Sequence, residues 1–208
     1  RLQVIKWSSI RYPWVARLSS GGLAGAIYSR LASLAVKLRL HRVHPNVYTL
    51  LGLLLALASP LSAHLGYVIP ALLLIALSSL MDALDGLVAR VSGLQSMFGA
   101  FLDSLSDRIS DASYILTLAL IGLDWRLCYI LLATSYLVSY ARARGEGLGV
   151  KLKGVGAIER QERVVAVLLI AIIAQASLQI ATIALGILTI LTIVTVAQRV
   201  RSVYAQLG

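Results

Sequence analysis

The sequence predicts an all-α integral membrane protein, a bundle of six transmembrane helices preceded by an amphipathic helix at the membrane interface. Hydrophobic residues make up 59% of the 208 residues and charged residues only 13%, which is about half the charged share of a soluble domain. The apolar residues are grouped into six segments of roughly membrane-spanning length. The basic residues flank these segments instead of covering one soluble face. The net charge of +10 therefore does not indicate nucleic acid as a partner.

The spans follow from the lengths of the apolar segments, because a transmembrane helix needs about 20 mostly apolar residues. The predicted spans are 46–65, 67–88, 98–122, 126–143, 164–177 and 178–198. The fifth segment is short, and we expect its helix to begin within 158–163. Residues 45–208 are thus predicted to form one membrane domain, and residues 1–44 a cytoplasmic segment.

Lysine and arginine predict the orientation of the spans, because they are enriched in cytoplasmic connections. They lie before span one, near the connection of spans two and three, between spans four and five, and after span six. Among the 19 basic residues, only Arg126 departs from this pattern. We expect a multi-pass protein of the cell (cytoplasmic) membrane with both termini on the cytoplasmic side.

The segment before the first span predicts a helix over 23–40, in which Arg30, Lys37 and Arg39 interrupt an apolar run. A basic amphipathic helix of this kind lies in the headgroup layer of membrane lipids. The alternative is a soluble cap packed on the bundle. Pro45 then predicts the start of the first span, since proline is tolerated in the first turn of a helix.

Four aspartates dominate the polar part of the sequence: Asp82, Asp85, Asp103 and Asp107. Each pair has a spacing that puts both members on one helix face, and the short connection 91–97 predicts that the two helices are antiparallel neighbours. Acidic groups near a bilayer are costly without partners. Converging carboxylates bind hard divalent cations, so the cluster predicts a two-metal site for phosphoryl transfer on the cytoplasmic side. The alternative is that these are helix-end charges without a role.

The surrounding residues extend this pattern to Asp82-x2-Asp85-Gly86-x2-Ala89-Arg90-x8-Gly99-x3-Asp103-x3-Asp107. This pattern resembles the signature of the CDP-alcohol phosphotransferases at every fixed position, and Pro45, Asn46 and Thr49 resemble the start of the first span in that family. The resemblance implies transfer of a phosphoalcohol from a CDP-linked donor to an acceptor hydroxyl, with release of CMP, in a homodimer.

The resemblance also implies roles for the motif residues. Asp82, Asp85, Asp103 and Asp107 would hold two Mg²⁺ ions, or Mn²⁺, per active site. Asp107 would also be the general base that deprotonates the acceptor. The CDP moiety would contact five motif residues, Asp82, Gly86, Ala89, Arg90 and Gly99.

A second basic cluster indicates an anionic acceptor. It comprises Arg142 and Arg144 at the end of span four, Lys151 and Lys153 in a glycine-rich loop, and Arg160 and Arg163 before span five. Arginine suits phosphate monoesters because it binds them in a bidentate manner. The alternative is that these are the basic residues usual in cytoplasmic connections of a membrane protein and that they bind no ligand. The segments 139–144 and 159–163 resemble the branch that makes phosphatidylinositol phosphate or archaetidylinositol phosphate, in which inositol 1-phosphate is the acceptor. The implied phosphate-binding residues are Arg142, Arg144, Lys153, Arg160 and Arg163.

Other functions remain open in the sequence. The same chemistry could use glycerol 3-phosphate as acceptor or CDP-inositol as donor, and the donor lipid could be CDP-archaeol or CDP-diacylglycerol. A divalent-cation transporter is the non-enzymatic alternative, although transporter sites lie near the bilayer midplane. Asp111 continues the stripe of Asp103 and Asp107 and could either support the site or make a structural hydrogen bond.

Overall fold

The computed structural model describes residue 33 and residues 35–207. After a short 3-10 turn, Leu40–Arg42, this part of the chain forms six long α-helices. They are α1 (Pro45–His64), α2 (Val68–Ser92), α3 (Met97–Leu120), α4 (Trp125–Gly147), α5 (Arg160–Ala174) and α6 (Leu178–Leu207). The predicted all-α class is confirmed, with one helix at each predicted span.

Local capping explains where three of these helices begin. His44 Nδ1 accepts a hydrogen bond from Asn46 N at 3.2 Å ahead of Pro45 in the first turn of α1. Ser96 Oγ accepts from Gly99 N at 2.9 Å and starts α3. A capping box between Glu159 and Glu162 starts α5, so that both otherwise unpaired N–H groups are satisfied.

Helix α1 packs along both α2 and α3, whereas α2 and α3 contact each other at few residues. The prediction that α2 and α3 are direct neighbours is therefore wrong for most of their length. Gly52 permits the close approach of α2, since a Cβ there would lie 3.1 Å from Met81 Cβ. Ser78 Oγ donates to Gly52 O at 2.6 Å and Tyr114 OH donates to Ser78 Oγ at 2.7 Å. These hydrogen bonds connect the three helices that carry the acidic residues and the adjoining site.

One apolar core joins all six long helices. A fully buried residue of each helix belongs to it: Ala56, Ile75, Leu118, Leu131, Ala171 and Leu185. Cys128, the single cysteine of the sequence, is also buried there. This core fixes the helices relative to one another, and it thereby fixes the positions of the polar side chains that the helices carry outside the core.

Helices α1, α2 and α6 are long and apolar enough to cross a membrane. Helix α3 carries Asp103, Asp107 and Asp111 within its length, and α5 has only 15 residues, which rise about 22 Å. The predicted helix over 23–40 lies largely outside the described residues. Arg39 has a φ of 59°, so that helix ends before the turn at Leu40.

Two helices extend beyond the predicted spans, α2 to Ser92 and α4 to Gly147. Gly145 lies in the last turns of α4. The extra turn of α4 carries an ion pair at helical spacing between Arg142 Nε and Glu146 Oε1, 2.9 Å apart. Leu152 packs against Gly145 at a place where a Cβ would not fit, and this returns the loop to the bundle.

Candidate active site

Three carboxylates converge where α2 and α3 pass the first turns of α1. One oxygen from each of Asp82, Asp85 and Asp103 lies within 4.8 Å of the others. Asp85 is only 5% exposed, and its Oδ2 accepts a hydrogen bond of 2.7 Å from Thr49 Oγ1. Helix α1 thus orients one oxygen of Asp85 and leaves the other for a ligand.

The donor set fits a divalent cation. Carboxylate oxygens are the ligands that Mg²⁺ and Mn²⁺ accept in proteins. Two oxygens bound to one Mg²⁺ at about 2.1 Å are about 3.0 Å apart in cis positions and about 4.2 Å apart in trans positions. The three oxygens, which lie within 4.8 Å of one another, would therefore move closer together around a bound ion. Three carboxylates this close also repel one another unless a cation lies between them.

Asp107 lies one turn further along α3 and contacts arginines. Its Oδ1 is 2.9 Å from Arg160 Nη1, and its Oδ2 is 3.5 Å from Arg108 Nη1. Asp107 is not in the group of three converging oxygens described above. Its assignment as a metal ligand and as the general base stays a prediction.

The first turn of α5 brings two arginines to the same cluster. Arg160 Nη1 is 2.9 Å from Asp82 Oδ2, and Arg160 Nε is 3.2 Å from Asp111 Oδ1. Arg163 Nη2 is 2.8 Å from Asp111 Oδ2. These ion pairs join α5 to α2 and α3. Of the five predicted acceptor-binding residues, Arg160 reaches the acidic cluster and Arg163 reaches Asp111 beside it.

The other three predicted acceptor-binding residues lie differently. Arg142 pairs with Glu146, while Arg144 and Lys153 are exposed. Lys151, in the same loop, is exposed as well. Their part in acceptor binding stays a prediction that the ion pairs of the described residues do not support.

A cavity of about 230 Å³ opens beside the cluster. Its lining includes Asp85 and Asp103 together with four of the predicted CDP contacts, Gly86, Ala89, Arg90 and Gly99. Asp82, the fifth predicted contact, faces Arg160 instead. A Cβ at Gly86 would lie 3.3 Å from Arg90 Nη1, so the glycine leaves room for the guanidinium beside the cavity.

Gly99 lies where α3 begins against α1. A Cβ there would be 2.9 Å from Ser96 Oγ and 3.3 Å from Asn46 Oδ1. Glycine at this position therefore allows the Ser96 cap and the close approach of the first turn of α1. The family resemblance assigns Gly99 to the CDP site. The packing of α3 against α1 is a second reason why glycine is required at this position.

Several residues of the site were not assigned a role from the sequence. Asn46, Thr49, Gln95 and Ser96 also line the cavity. Thr49 was noted only as part of the segment that resembles the start of the family's first span. Gln95 and Ser96 carry no signal in the sequence, because their position depends on how the short connection of α2 and α3 folds against α1.

Comparison with known proteins gives the site a context. Residues 42–200 match the family model described as CDP-alcohol phosphatidyltransferase. This range includes α1 to α5, most of α6 and every residue of the acidic cluster.

Two named relatives illustrate the similarity. The chain is 43% identical over 165 residues to the archaetidylinositol phosphate synthase of Aeropyrum pernix, covering 78% of this chain and 84% of that protein. It is 36% identical over 162 residues to the phosphatidylinositol phosphate synthase of Corynebacterium glutamicum, covering 70% and 69%.

The fold is also similar to solved structures of the phosphatidylinositol phosphate synthase of Mycobacterium tuberculosis. The structure with CDP-DAG bound is 30% identical, with a TM-score of 0.69, and the match covers 86% of this chain and 94% of that one. The complex with manganese and citrate has a TM-score of 0.70, with coverages of 85% and 88%.

Proposed function

This chain belongs to the CDP-alcohol phosphatidyltransferase family, and we propose that it transfers the phosphoalcohol of a CDP-linked lipid to inositol 1-phosphate. It is a transferase of phospholipid biosynthesis. The products of the proposed reaction are CMP and archaetidylinositol phosphate or phosphatidylinositol phosphate. The names of the relatives from Aeropyrum pernix and Corynebacterium glutamicum support this acceptor.

One observation carries the proposal: the acidic cluster borders both a cavity and Arg160, which Asp111 links to Arg163. Asp85 and Asp103 line the cavity that contains the predicted CDP contacts. Asp82 and Asp107 contact Arg160. A donor phosphate in the cavity would lie beside Asp85 and Asp103, and an acceptor phosphate on Arg160 would lie beside Asp82 and Asp107. The two substrates would then meet at one group of four carboxylates.

The proposed metal ligands are Asp82, Asp85, Asp103 and Asp107, and Mg²⁺ is the proposed cofactor, with two ions per site. The related structure solved in complex with manganese and citrate supports a divalent metal as the cofactor. When bound, the metal would offset the charge of the pyrophosphate and stabilise the CMP leaving group. Thr49 holds Asp85 for this purpose from the neighbouring helix.

Asp107 is the proposed general base. Its carboxylate would take the proton from the acceptor hydroxyl, and that oxygen would then form a bond to the phosphorus that carries the lipid alcohol. The bond from this phosphorus to the oxygen of CMP breaks, and CMP leaves with the electron pair. Arg160, 2.9 Å from Asp107 Oδ1, would place the acceptor phosphate near the base.

We propose that all six long helices cross the cytoplasmic membrane, with the site and both termini on the cytoplasmic side. The positions of lysine and arginine support this orientation. The acidic cluster lies toward the α2–α3 connection, which that orientation puts in the cytoplasm. A homodimer is part of the same proposal and rests on the family resemblance.

The direct test is CMP release by the protein purified in detergent with Mg²⁺. CDP-archaeol and CDP-diacylglycerol would each be combined with inositol 1-phosphate, glycerol 3-phosphate, serine and free inositol. We expect release with inositol 1-phosphate and little with free inositol, because only the former carries the phosphate that arginine binds. Release with glycerol 3-phosphate alone would overturn the acceptor, and release with none would overturn the CDP-lipid donor.

The role of Asp107 predicts a loss of turnover on Asp107→Asn. The amide cannot accept the proton, and general bases contribute typically 10²–10⁴-fold to rate, so kcat should fall at least about 100-fold. Binding of CDP-lipid, measured by titration calorimetry, should persist. The matched control is Asp124→Asn, because Asp124 caps α4 by accepting from Arg126 N at 2.7 Å and asparagine caps helices equally well. Undiminished turnover by Asp107→Asn would exclude this residue as the base.

A further inference from the structure

We propose that Asp111 is a positioning residue that holds Arg160 and Arg163 in the geometry required for the acceptor phosphate. This inference deepens the proposed function and rests on it. Asp111 lies on α3, one turn beyond Asp107, and is 4% exposed. Its position next to the site, and the partners of its two oxygens, distinguish it from the other acidic residues.

Both oxygens of Asp111 are engaged by arginines of α5. Oδ1 accepts from Arg160 Nε at 3.2 Å, and Oδ2 accepts from Arg163 Nη2 at 2.8 Å. Asp111 is not among the three carboxylates whose oxygens converge for a metal. With both oxygens occupied, it serves as an ion-pair partner and not as a further metal ligand.

Asp111 engages one nitrogen of each arginine and leaves the other nitrogens of both guanidinium groups for other partners. Arg160 is held through Nε, its Nη1 contacts Asp82 and Asp107, and its Nη2 donates a 3.5 Å hydrogen bond to Asp107 O, which a phosphate oxygen would share or replace. Arg163 is held through Nη2, and its buried Nη1 has no hydrogen-bond partner among the described residues. A buried donor without a partner is costly, and an oxygen of the acceptor phosphate would satisfy it.

A single carboxylate shared by two guanidinium groups also sets their separation. Two like charges brought together for one phosphate repel each other, and Asp111 offsets that repulsion before the acceptor arrives. Because Arg163 is 2% exposed and Asp111 is 4% exposed, water screens this interaction little. The arrangement thus prepares a binding site for a dianionic group and does not only join two helices.

The test compares kinetic constants for the two substrates in Asp111→Asn. The variant keeps the size of the side chain but removes its charge and one acceptor oxygen. We expect the KM for inositol 1-phosphate to rise about tenfold or more, on the scale of one lost hydrogen bond between charged groups. The KM for CDP-lipid should change less than about twofold. Titration of the protein with inositol 1-phosphate alone should show the same weakening of affinity.

Thr117→Val is the matched control, because Thr117 is also a buried residue of α3 that joins another helix, through a 3.0 Å contact with Ser59 Oγ. It should leave the ratio of the two KM values unchanged. Asp111→Glu is the second variant, because it retains the charge and so provides the test if the neutral variant does not fold. It should raise the acceptor KM in the same direction but less, with the donor KM unchanged.

An unchanged acceptor KM in Asp111→Asn, or in Asp111→Glu if only that variant folds, would overturn the inference, as would an equal rise in both KM values. These outcomes presuppose that the wild-type chain uses inositol 1-phosphate. If the wild-type chain does not use it, the proposed function fails, and this failure is seen in the wild type before any variant is made.

Discussion

At the scale of single residues, the orientation of Asp85 depends on a neighbour from another helix. Thr49 Oγ1 donates to Asp85 Oδ2 at 2.7 Å, and both side chains are buried. A carboxylate in such a position rotates little, so its second oxygen stays aimed at the cluster. Hydrogen bonds of this kind to metal ligands raise affinity for the metal.

Removal of this hydrogen bond by Thr49→Val should weaken metal binding. Valine has nearly the same shape, but Asp85 would lose its fixed orientation, and we expect the Kd for Mn²⁺ to rise about 10–100-fold. Titration followed by electron paramagnetic resonance measures this directly. Thr49→Ser should retain affinity. Thr189→Val is the control, because Thr189 is a buried threonine whose hydroxyl donates within its own helix, to Leu185 O. An equal loss in this control would contradict the specific role of Thr49.

The site shows which residues a sequence can assign. Helical spacing predicted that Asp82 and Asp85 share one face and that Asp103 and Asp107 share another. The short connection of α2 and α3 predicted that the two pairs meet, and the oxygens of Asp82, Asp85 and Asp103 do converge. The pairing of Asp111 with Arg160 and Arg163 could not be derived in this way. It depends on the packing of α5 against α3, which are far apart in the sequence, and no local pattern encodes that contact.

At the scale of elements, the loop between α4 and α5 determines where Arg160 lies. Arg199 of α6 is 4% exposed and donates through Nε to Val155 O at 2.9 Å and through Nη1 to Val138 O at 2.6 Å. Thr195 Oγ1 accepts from Ile158 N at 3.1 Å. Helix α6 thus anchors the loop immediately before α5. The sequence indicated Arg199 only as a basic residue that follows the last span.

Arg199→Leu should therefore destabilise the protein and impair acceptor binding. The buried hydrogen bond to Val138 O and the part-buried one to Val155 O would be lost, the first at about 1–3 kcal/mol, and the start of α5 would shift. We expect a lower Tm in detergent and a higher KM for inositol 1-phosphate. Arg201→Leu is the matched control, since Arg201 is an exposed residue on the same helix. A normal Tm in Arg199→Leu would show that the loop holds its position without this arginine.

The packing order of the helices was the part of the fold that the sequence predicted least well. Apolar length predicted a helix at each span, but the short connection of α2 and α3 suggested direct packing between them. The structure inserts α1 along both, because Gly52 and the hydrogen bonds of Ser78 favour that contact. Small residues permit close helix packing, yet they do not specify the partner helix.

At the scale of the whole molecule, the acids and arginines of the site lie toward one end of a bundle whose outer surface is apolar. Exposed large hydrophobic residues occur on every long helix, including Leu54, Leu73, Leu116, Leu137, Leu169 and Ile190. Such a surface is typical of contact with lipid. A lipid donor could then keep its chains in the bilayer while its head group enters the cavity beside Asp85 and Asp103.

Helix α5 gives the most direct test of the proposed orientation, because its 15 residues rise about 22 Å against a hydrocarbon core of about 30 Å. Single cysteines test it in a Cys128→Ala background, since the native thiol is buried. Leu65→Cys and Ala176→Cys lie at exposed connections on one side. On the other side, Ala157→Cys lies in the exposed connection before α5 and Gln206→Cys lies at the exposed end of α6.

An impermeant maleimide applied to intact cells should label Leu65→Cys and Ala176→Cys. It should label Ala157→Cys and Gln206→Cys only after the cells are permeabilised, because those positions adjoin the basic connections that remain in the cytoplasm. In this arrangement Arg126 lies on the outer side, where the α3–α4 connection carries no other basic residue. One arginine there does not outweigh the many basic residues of the cytoplasmic connections. Labelling of Ala157→Cys and Ala176→Cys from the same side would show that α5 does not cross. Complete reversal of the pattern would place the acidic cluster outside the cell, away from a cytoplasmic supply of nucleotide-linked lipid.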